Sequence, residues 1–216
     1  MTDGIAGGTA AAPIAVAVLV VLFSVEDGAL GVHLLPAGAG RWRLPGRRLA
    51  AEEDLEEAAA EVLAEVFGAE ATHLEQLYTF GAAGRGDGVR EVAVAYFALA
   101  PVGSAPARPG RRFAVDGLPP LAGDHAEVVA LAVERLRAKI HYSTLGLRFL
   151  PRPFTLRELQ EVFEAVLGEP LDKRNFRKRM LAIGCIEDTG RRVRQGNHRP
   201  ARLYRARHGD RVEIVR

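Results

Sequence analysis

The apolar residues of this chain fall first into short unbroken runs and then into helical spacing. From Ala15 to Phe23 the run AVAVLVVLF is rich in β-branched residues and reads as a buried strand, with Leu30 to Leu35 as its partner across the turn Glu26-Asp27-Gly28. Between Glu52 and Phe67 the apolar positions are Leu55, Ala58, Ala59, Val62, Leu63 and Val66, one face of a helix that Gly68 is suited to stop. His73 to Phe80 and Val89 to Ala100 read as strands, and the second is so continuously apolar that it belongs in the middle of a sheet. Pro, Gly, Ala and Ser dominate Pro101 to Gly110, a loop. Helical spacing returns over His125 to Tyr142, through Val128, Val129, Leu131, Ala132, Leu136 and Ile140, with Asp124 as a suitable N-cap.

The last third changes character. Thr155 and Glu158 have the spacing of a capping box, with Phe154 and Leu159 as its hydrophobic staple, so a helix begins there and runs to Gly168. Past Gly168-Glu-Pro170, Asp172 is the N-cap of a further helix, stapled by Leu171 and Phe176. Two short capped helices joined by a tight turn make a helix-turn-helix. In the second, Phe176, Met180 and Ile183 share an inward face, which leaves Arg174 and Lys178 pointing away from the core, flanked by Lys173, Asn175, Arg177 and Arg179. A cationic helix carrying one amide able to read a base edge fits a DNA major groove in size and charge. Cys185 to Tyr204 then reads as a strand, a long basic tip and a return strand, the wing of a winged helix.

The candidate DNA-binding residues are therefore Lys173, Arg174, Asn175, Arg177 and Lys178 on the helix and Arg191, Arg192, Arg194, His198, Arg199 and Arg202 on the wing. His198 is read as a surface or DNA-proximal residue and not as a metal ligand, because His125, His141 and His208 lie far off without ligand spacing. Tyr142 and Phe149 read as hinge packing.

Charge sharpens this division. The net charge of +2 over 216 residues conceals 11 basic against 18 acidic residues up to position 137, and 18 against 9 from position 138 onward. The basic half should seek a polyanion. The apolar run Ala10 to Phe23 is shorter than the ~20 residues that span a bilayer. It has no basic residue before it and no small-residue cleavage site after it, so neither a membrane span nor a secretory signal is expected. The single cysteine, Cys185, permits no internal disulfide and reads as a buried inert thiol, in keeping with a cytoplasmic protein.

The stretch LPGRRLAAEEDLEEAAAEVLAEVFGA, Leu44 to Ala69, resembles the signature of Nudix hydrolases, Gly-x5-Glu-x7-Arg-Glu-U-x-Glu-Glu-x-Gly-U with U aliphatic. Leu44-Pro45-Gly46 matches the usual lead-in, Glu53 the first glutamate, Glu65 one of the paired glutamates and Gly68 the glycine. Arg47 stands where the signature's starting glycine belongs, Glu61 replaces the arginine, Val62 the glutamate after it, and Val66 the second of the pair. Positions 62, 65 and 66 share one helix face, where three glutamates would converge on divalent cations bridging a diphosphate. With Val, Glu and Val there, one carboxylate is left, magnesium is held poorly, and diphosphate hydrolysis should be lost. No catalytic residue, metal or cofactor is expected.

Two readings of this region remain open. In one, Val62 and Val66 have joined the core and Glu57, Glu61 and Glu65 form a solvated acidic stripe. In the other, the cleft survives as a nucleotide pocket: Arg41, Arg43, Arg47 and Arg48 meet phosphates, Trp42 offers a flat surface to adenine or else packs in the core, and Glu65 lies beside them.

Taken whole, the chain resembles the NrtR-type regulators, Nudix-related transcriptional repressors of NAD metabolism. The likeness is carried by Gly117-Leu-Pro-Pro-Leu-Ala-Gly-Asp124-His125, Ile140-His-Tyr142-Ser143, Phe154-Thr-Leu-Arg-Glu-Leu-Gln160 and Leu171-Asp-Lys-Arg-Asn175-Phe-Arg-Lys178. The resemblance implies an α+β chain: a Nudix-like α/β/α sandwich with a mixed sheet, residues 1–142 including a linker helix at 124–142, then a winged helix-turn-helix at 143–216. It implies a homodimer that binds double-stranded operator DNA and responds to a small nucleotide such as ADP-ribose or NAD. The rival expectation is an enzyme, a residual Nudix hydrolase of nucleoside diphosphate derivatives working through Glu53 and Glu65.

Overall fold

The computed structural model describes residues 13–67, 71, 73–85, 89–104, 110–150, 153–194, 200–207 and 214. Outside them lie the start of the Ala10 to Phe23 run, the Gly68 helix stop, part of the Pro101 to Gly110 loop, His208, and His198 and Arg199 of the wing tip.

The long apolar runs form the centre of a mixed sheet. Strand β1 (Ile14–Glu26) pairs antiparallel with β2 (Ala29–Gly38) and parallel with β6 (Arg90–Leu99). The short β3 (Arg41–Arg43) and β7 (Arg111–Ala114) join β2, β4 (Gly46–Arg48) joins β1, and β5 (His73–Phe80) closes the far edge on β6. The middle of both central strands, Ala17 to Phe23 and Val92 to Leu99, is apolar at every position because both sheet faces are covered there. On one face Val18, Val20, Leu22, Val94, Tyr96 and Ala98 pack against α1 (Leu55–Phe67). On the other, Leu19, Val21, Phe23, Ala95 and Phe97 share a core with α2 (His125–Tyr142). The α/β/α sandwich follows from the strand period of two, which sends alternate side chains to opposite helices.

Helix α1 begins at Leu55, three residues later than the apolar pattern suggests, because Asp54 caps it, accepting from the Glu56 N–H at 2.8 Å. Glu52 and Glu53 precede the helix. Asp27 takes a positive φ of 50° in the β1–β2 turn, next to Gly28 at 72°, the backbone geometry of a tight hairpin.

After a 3-10 turn at Thr144–Phe149 come α3 (Leu156–Leu167) and α4 (Lys173–Ile183), then the hairpin β8 (Ile186–Val193) and β9 (Ala201–Ala206). Thr155 and Glu158 make both capping-box bonds, and Gly168 and Gly184 end the two helices in the left-handed conformation. Gln160 donates to the Leu171 carbonyl and Glu164 accepts from the Leu171 N–H, bolting the turn between α3 and α4.

The apolar cluster is continuous between the oppositely charged halves: Leu145, Leu147, Phe149, Leu159, Phe163, Phe176 and Tyr204 belong to the same cluster as β1 and α2. Tyr142 is exposed while Phe149 is buried, so of the two expected hinge residues only Phe149 packs fully. Cys185 is buried. No helix among the described residues is long and apolar enough to cross a membrane.

Candidate nucleic-acid interface and ligand cavity

Burial of Phe176 and Met180 against α3 fixes the rotation of α4, with Phe163 and Phe176 rings meeting edge-on at 5.1 Å. Lys173, Arg174, Asn175, Arg177, Lys178 and Arg179 are all exposed in consequence. The Asp172 carboxylate accepts from the Asn175 backbone N–H at 2.8 Å, which fixes the first turn and leaves the Asn175 amide outside it. Arg179 turns back and donates to the His141 carbonyl at the end of α2.

On the wing, Arg191, Arg192, Arg194 and Arg202 are exposed. Arg202 is ion-paired with Asp188 at 3.1 Å. A groove of about 360 Å³ between the start of α3, α4 and the wing brings together Arg157, Arg177, Arg192 and Arg202. Arg157 was not among the sequence candidates; its place at the head of α3, the helix that must face the wing, is the signal that points to it.

The arginines around the Leu-Pro-Gly turn are distributed differently from the expected phosphate cluster. A Cβ on Gly46 would lie 2.4 Å from the Val18 carbonyl oxygen, so glycine alone allows β4 to lie against β1 here. Arg47 follows and grips Glu53 with both terminal nitrogens, 2.6 Å in one contact, and Glu61 at 2.7 Å. This bidentate pair, joined by the Ala50 N–H, holds the Glu53 carboxyl down at about 2 and raises the arginine above its ordinary value. Two of the four departures from the Nudix signature, Arg47 and Glu61, thus touch each other.

Val62 and Val66 are buried, 3% and 5% exposed, and each adds roughly 1.5–3 kcal/mol of apolar burial. Glu65 is exposed, as are Glu57 and Glu61. Two of the carboxylates nearest the signature are engaged by a guanidinium and two of its ligand positions are apolar, so the residues present do not fit a divalent cation.

Trp42 packs edge-on against Phe113 at 4.7 Å and its backbone bonds to Pro120 and Ala122, a half-buried sheet residue and not an open platform. Arg43 braces the Leu44 and Gly46 carbonyls, and Arg41 is exposed on β3. Arg48 reaches the other way, to Glu91 at 2.9 Å.

Arg48 and Glu91 line a polar cavity of about 490 Å³ with Ala82, Gly84, Arg85 and the head of α2, Gly123, Asp124 and His125. Arg85 is 8% exposed and donates to the Asp124 carboxylate. Asp124 occupies the N-cap of α2 yet makes no capping hydrogen bond, because its carboxylate is drawn to the arginine. His125 Nδ1 accepts from the Leu44 N–H at 2.9 Å, and burial, with Arg85 adding to it, keeps the ring neutral by lowering its pKa. Periodicity could not reveal Arg85, which sits in the irregular loop after β5; Asp124 was visible only as a cap.

A family model of the NrtR DNA-binding winged helix domain matches residues 146–206. An Acinetobacter baylyi protein, the ADPR responsive transcriptional repressor NtrR, is 33% identical over 197 residues, covering 85% of this chain and 78% of that protein. The crystal structure of Shewanella oneidensis NrtR complexed with a 27mer DNA matches at 33% identity and a TM-score of 0.77, covering 89% of this chain and 93% of that one. A MutT/nudix family protein of Enterococcus faecalis shares the fold at 23% identity and a TM-score of 0.71, covering 90% of this chain and 88% of its own.

Proposed function

This chain belongs to the NrtR family of DNA-binding, Nudix-related transcriptional regulators, and we propose that α4 and the wing hold operator DNA while residues 1–142 sense an NAD-derived nucleotide such as ADP-ribose without hydrolysing it. The observation that carries this reading is the outer face of α4, four basic residues and one amide held outward by two buried anchors on a doubly capped helix-turn-helix. Asn175 and Arg174 are the base-reading pair, and the groove arginines, Arg157 with them, take backbone phosphates. One short helix reads few base pairs, so a homodimer reaching half-sites about one helical turn, roughly 34–36 Å, apart is the assembly that gives useful specificity.

The sensor function rests on two supports. The Acinetobacter relative is named as ADPR responsive. In this chain, two ligand positions of the helix that would carry the metal, Val62 and Val66, are buried, and Arg47 engages Glu53 and Glu61, which leaves Glu65 as a lone exposed carboxylate of the signature. The sandwich keeps a cavity lined by cationic side chains beside the altered signature, at Arg48 and Arg85.

The test is a binding titration of the full chain on the DNA immediately upstream of its own gene, against a scrambled duplex, with and without ADP-ribose, alongside a magnesium-dependent turnover assay. Sequence-specific binding released by ADP-ribose, with no turnover, is expected. Robust cleavage abolished by Glu65→Gln would instead make the chain a Nudix hydrolase.

A further inference from the structure

We propose that Asp124 is a built-in stand-in for a ligand phosphate, and that a nucleotide diphosphate switches the protein by taking the place of Asp124 on Arg85. The proposal rests on the sensor reading above and names the chemistry of its switch.

Three features of the cavity point to an anion. The Arg85 side chain is more than nine-tenths buried, and its Nε makes no hydrogen bond, a Glu91 carboxylate oxygen lying 3.9 Å away. A buried guanidinium with a vacant donor costs free energy that an incoming acceptor recovers. The cavity also receives the N-terminal end of the 18-residue helix α2, whose positive dipole end lacks a side-chain cap. Arg48, half exposed at the rim, supplies a further cation. A diphosphate, with two negative charges over several terminal oxygens, offers more acceptor sites and more charge than one carboxylate, so it competes well for a planar fork of donors.

The carboxylate it displaces is free to leave. The Asp124 side chain is 25% exposed and so reaches solvent from the cavity lining. The consequence is mechanical, because Asp124 stands at the head of α2 and α2 is fastened to the reader at its other end. Arg137 Nε donates to the Val166 carbonyl of α3 at 2.9 Å, and Arg179 of α4 donates to the His141 carbonyl. Detaching Arg85 from Asp124 removes one tie at the head of a rod whose tail positions the recognition helix, leaving the His125–Leu44 bond as the pivot there. Release of DNA then requires the nucleotide to bind the displaced state more tightly than the paired one.

The decisive variant is Asp124→Asn, which keeps size and removes the competing charge. Calorimetry on the full chain, first with inorganic pyrophosphate and then with ADP-ribose, should show both binding about tenfold or more tightly to Asp124→Asn than to wild type, with operator release at correspondingly lower ADP-ribose. Arg85→Lys should weaken both ligands, and Arg85→Gln more so; thermal melts identify any variant that fails to fold, in which case the Asp124→Asn result alone decides. Unchanged affinities in Asp124→Asn overturn the proposal, even if wild type binds ADP-ribose and lets go of DNA, an outcome that leaves the sensor reading standing. Tighter pyrophosphate binding with no response to ADP-ribose supports the anion switch and removes that nucleotide as its ligand.

Discussion

Arg47, Arg48 and Arg85 of the sheet domain each meet a carboxylate, whereas Lys173, Arg174, Arg177 and Lys178 on α4 meet none among the described residues. Both groups look alike in sequence, clusters of cations beside short turns. The difference lies in their surroundings. The first half carries 18 acidic residues to 11 basic, so an arginine there finds an intramolecular partner before it finds a ligand. The second carries 9 to 18, and its helix-turn-helix turns the apolar side of α4 inward. A cation count predicts a polyanion where the fold leaves the charges unpaired, and an internal ion-pair network where it does not. The exceptions are instructive: Arg202 is held by Asp188 and Arg205 by Glu187 on the wing, and Arg157 by Glu161 on α3.

The largest effect that would break this comparison is on DNA. Changing Arg174, Arg177 and Lys178 together to alanine should abolish sequence-specific operator binding, while Arg174→Ala or Asn175→Ala alone should cost about 1–3 kcal/mol and relax base preference. Fluorescence anisotropy on operator and scrambled duplexes separates the two. If the triple variant binds operator like wild type, α4 is not the reader.

Acid should act on the sheet domain. His33 is 2% exposed between Ser24 and the Phe67 ring, and burial, with Arg112 nearby, depresses its pKa to about 4. The native state therefore resists a proton that the unfolded chain takes up near 6.5. The unfolded chain binds more protons between those values, so stability is full above about pH 6.5 and falls as pH drops towards 4, by an amount on the order of 3 kcal/mol. Burial lowers the pKa of His73 and His125 too, and both add in the same direction. Urea titrations at pH 7 and 4.5 should show His33→Gln losing less stability across the interval than wild type; equal losses would remove His33 from the account.

A smaller effect distinguishes paired from unpaired cations within the wing itself. Arg192→Ala should weaken all duplexes alike and flatten the salt dependence by about one unit of slope, the signature of one phosphate contact. Arg202→Ala should do less, since its charge is already shared with Asp188. Equal slopes for the two variants would mean that the ion pair opens on DNA.

What the sequence made legible follows the same division. The outward face of α4 could be read because Phe176 and Met180 fix its rotation, and the central strands because β1 and β6 are buried on both faces. The sandwich and the winged helix-turn-helix are the architecture that the resemblance implied. The short strands β3, β4 and β7 escaped because three or four residues show no period. The partners of Arg47 escaped for a different reason: Glu53 and Glu61 lie 6 and 14 residues away, and a strand-loop-helix brings them together in a way no local pattern encodes. Asp124 was recognisable as a cap, but a buried guanidinium is a stronger partner than a helix N–H and took the carboxylate away.

The subtlest prediction concerns the two departures that touch. If Arg47 and Glu61 form one exchange, with the guanidinium moved from the helix to the strand while still serving Glu53, then Arg47→Gly or Glu61→Arg alone should lower Tm by a small, salt-sensitive amount. The double variant, which restores the signature's own order, should lie closer to wild type than the sum of the two singles, since residues in direct contact are not additive. Operator affinity should be unmoved in all three, because none of these groups lies on α4 or the wing. Strictly additive melting shifts would mean that the two substitutions arose independently and that Arg47 found Glu61 only incidentally. A coupled result would assign the altered signature a structural task, holding the strand to the helix with a fixed cation where magnesium does not fit.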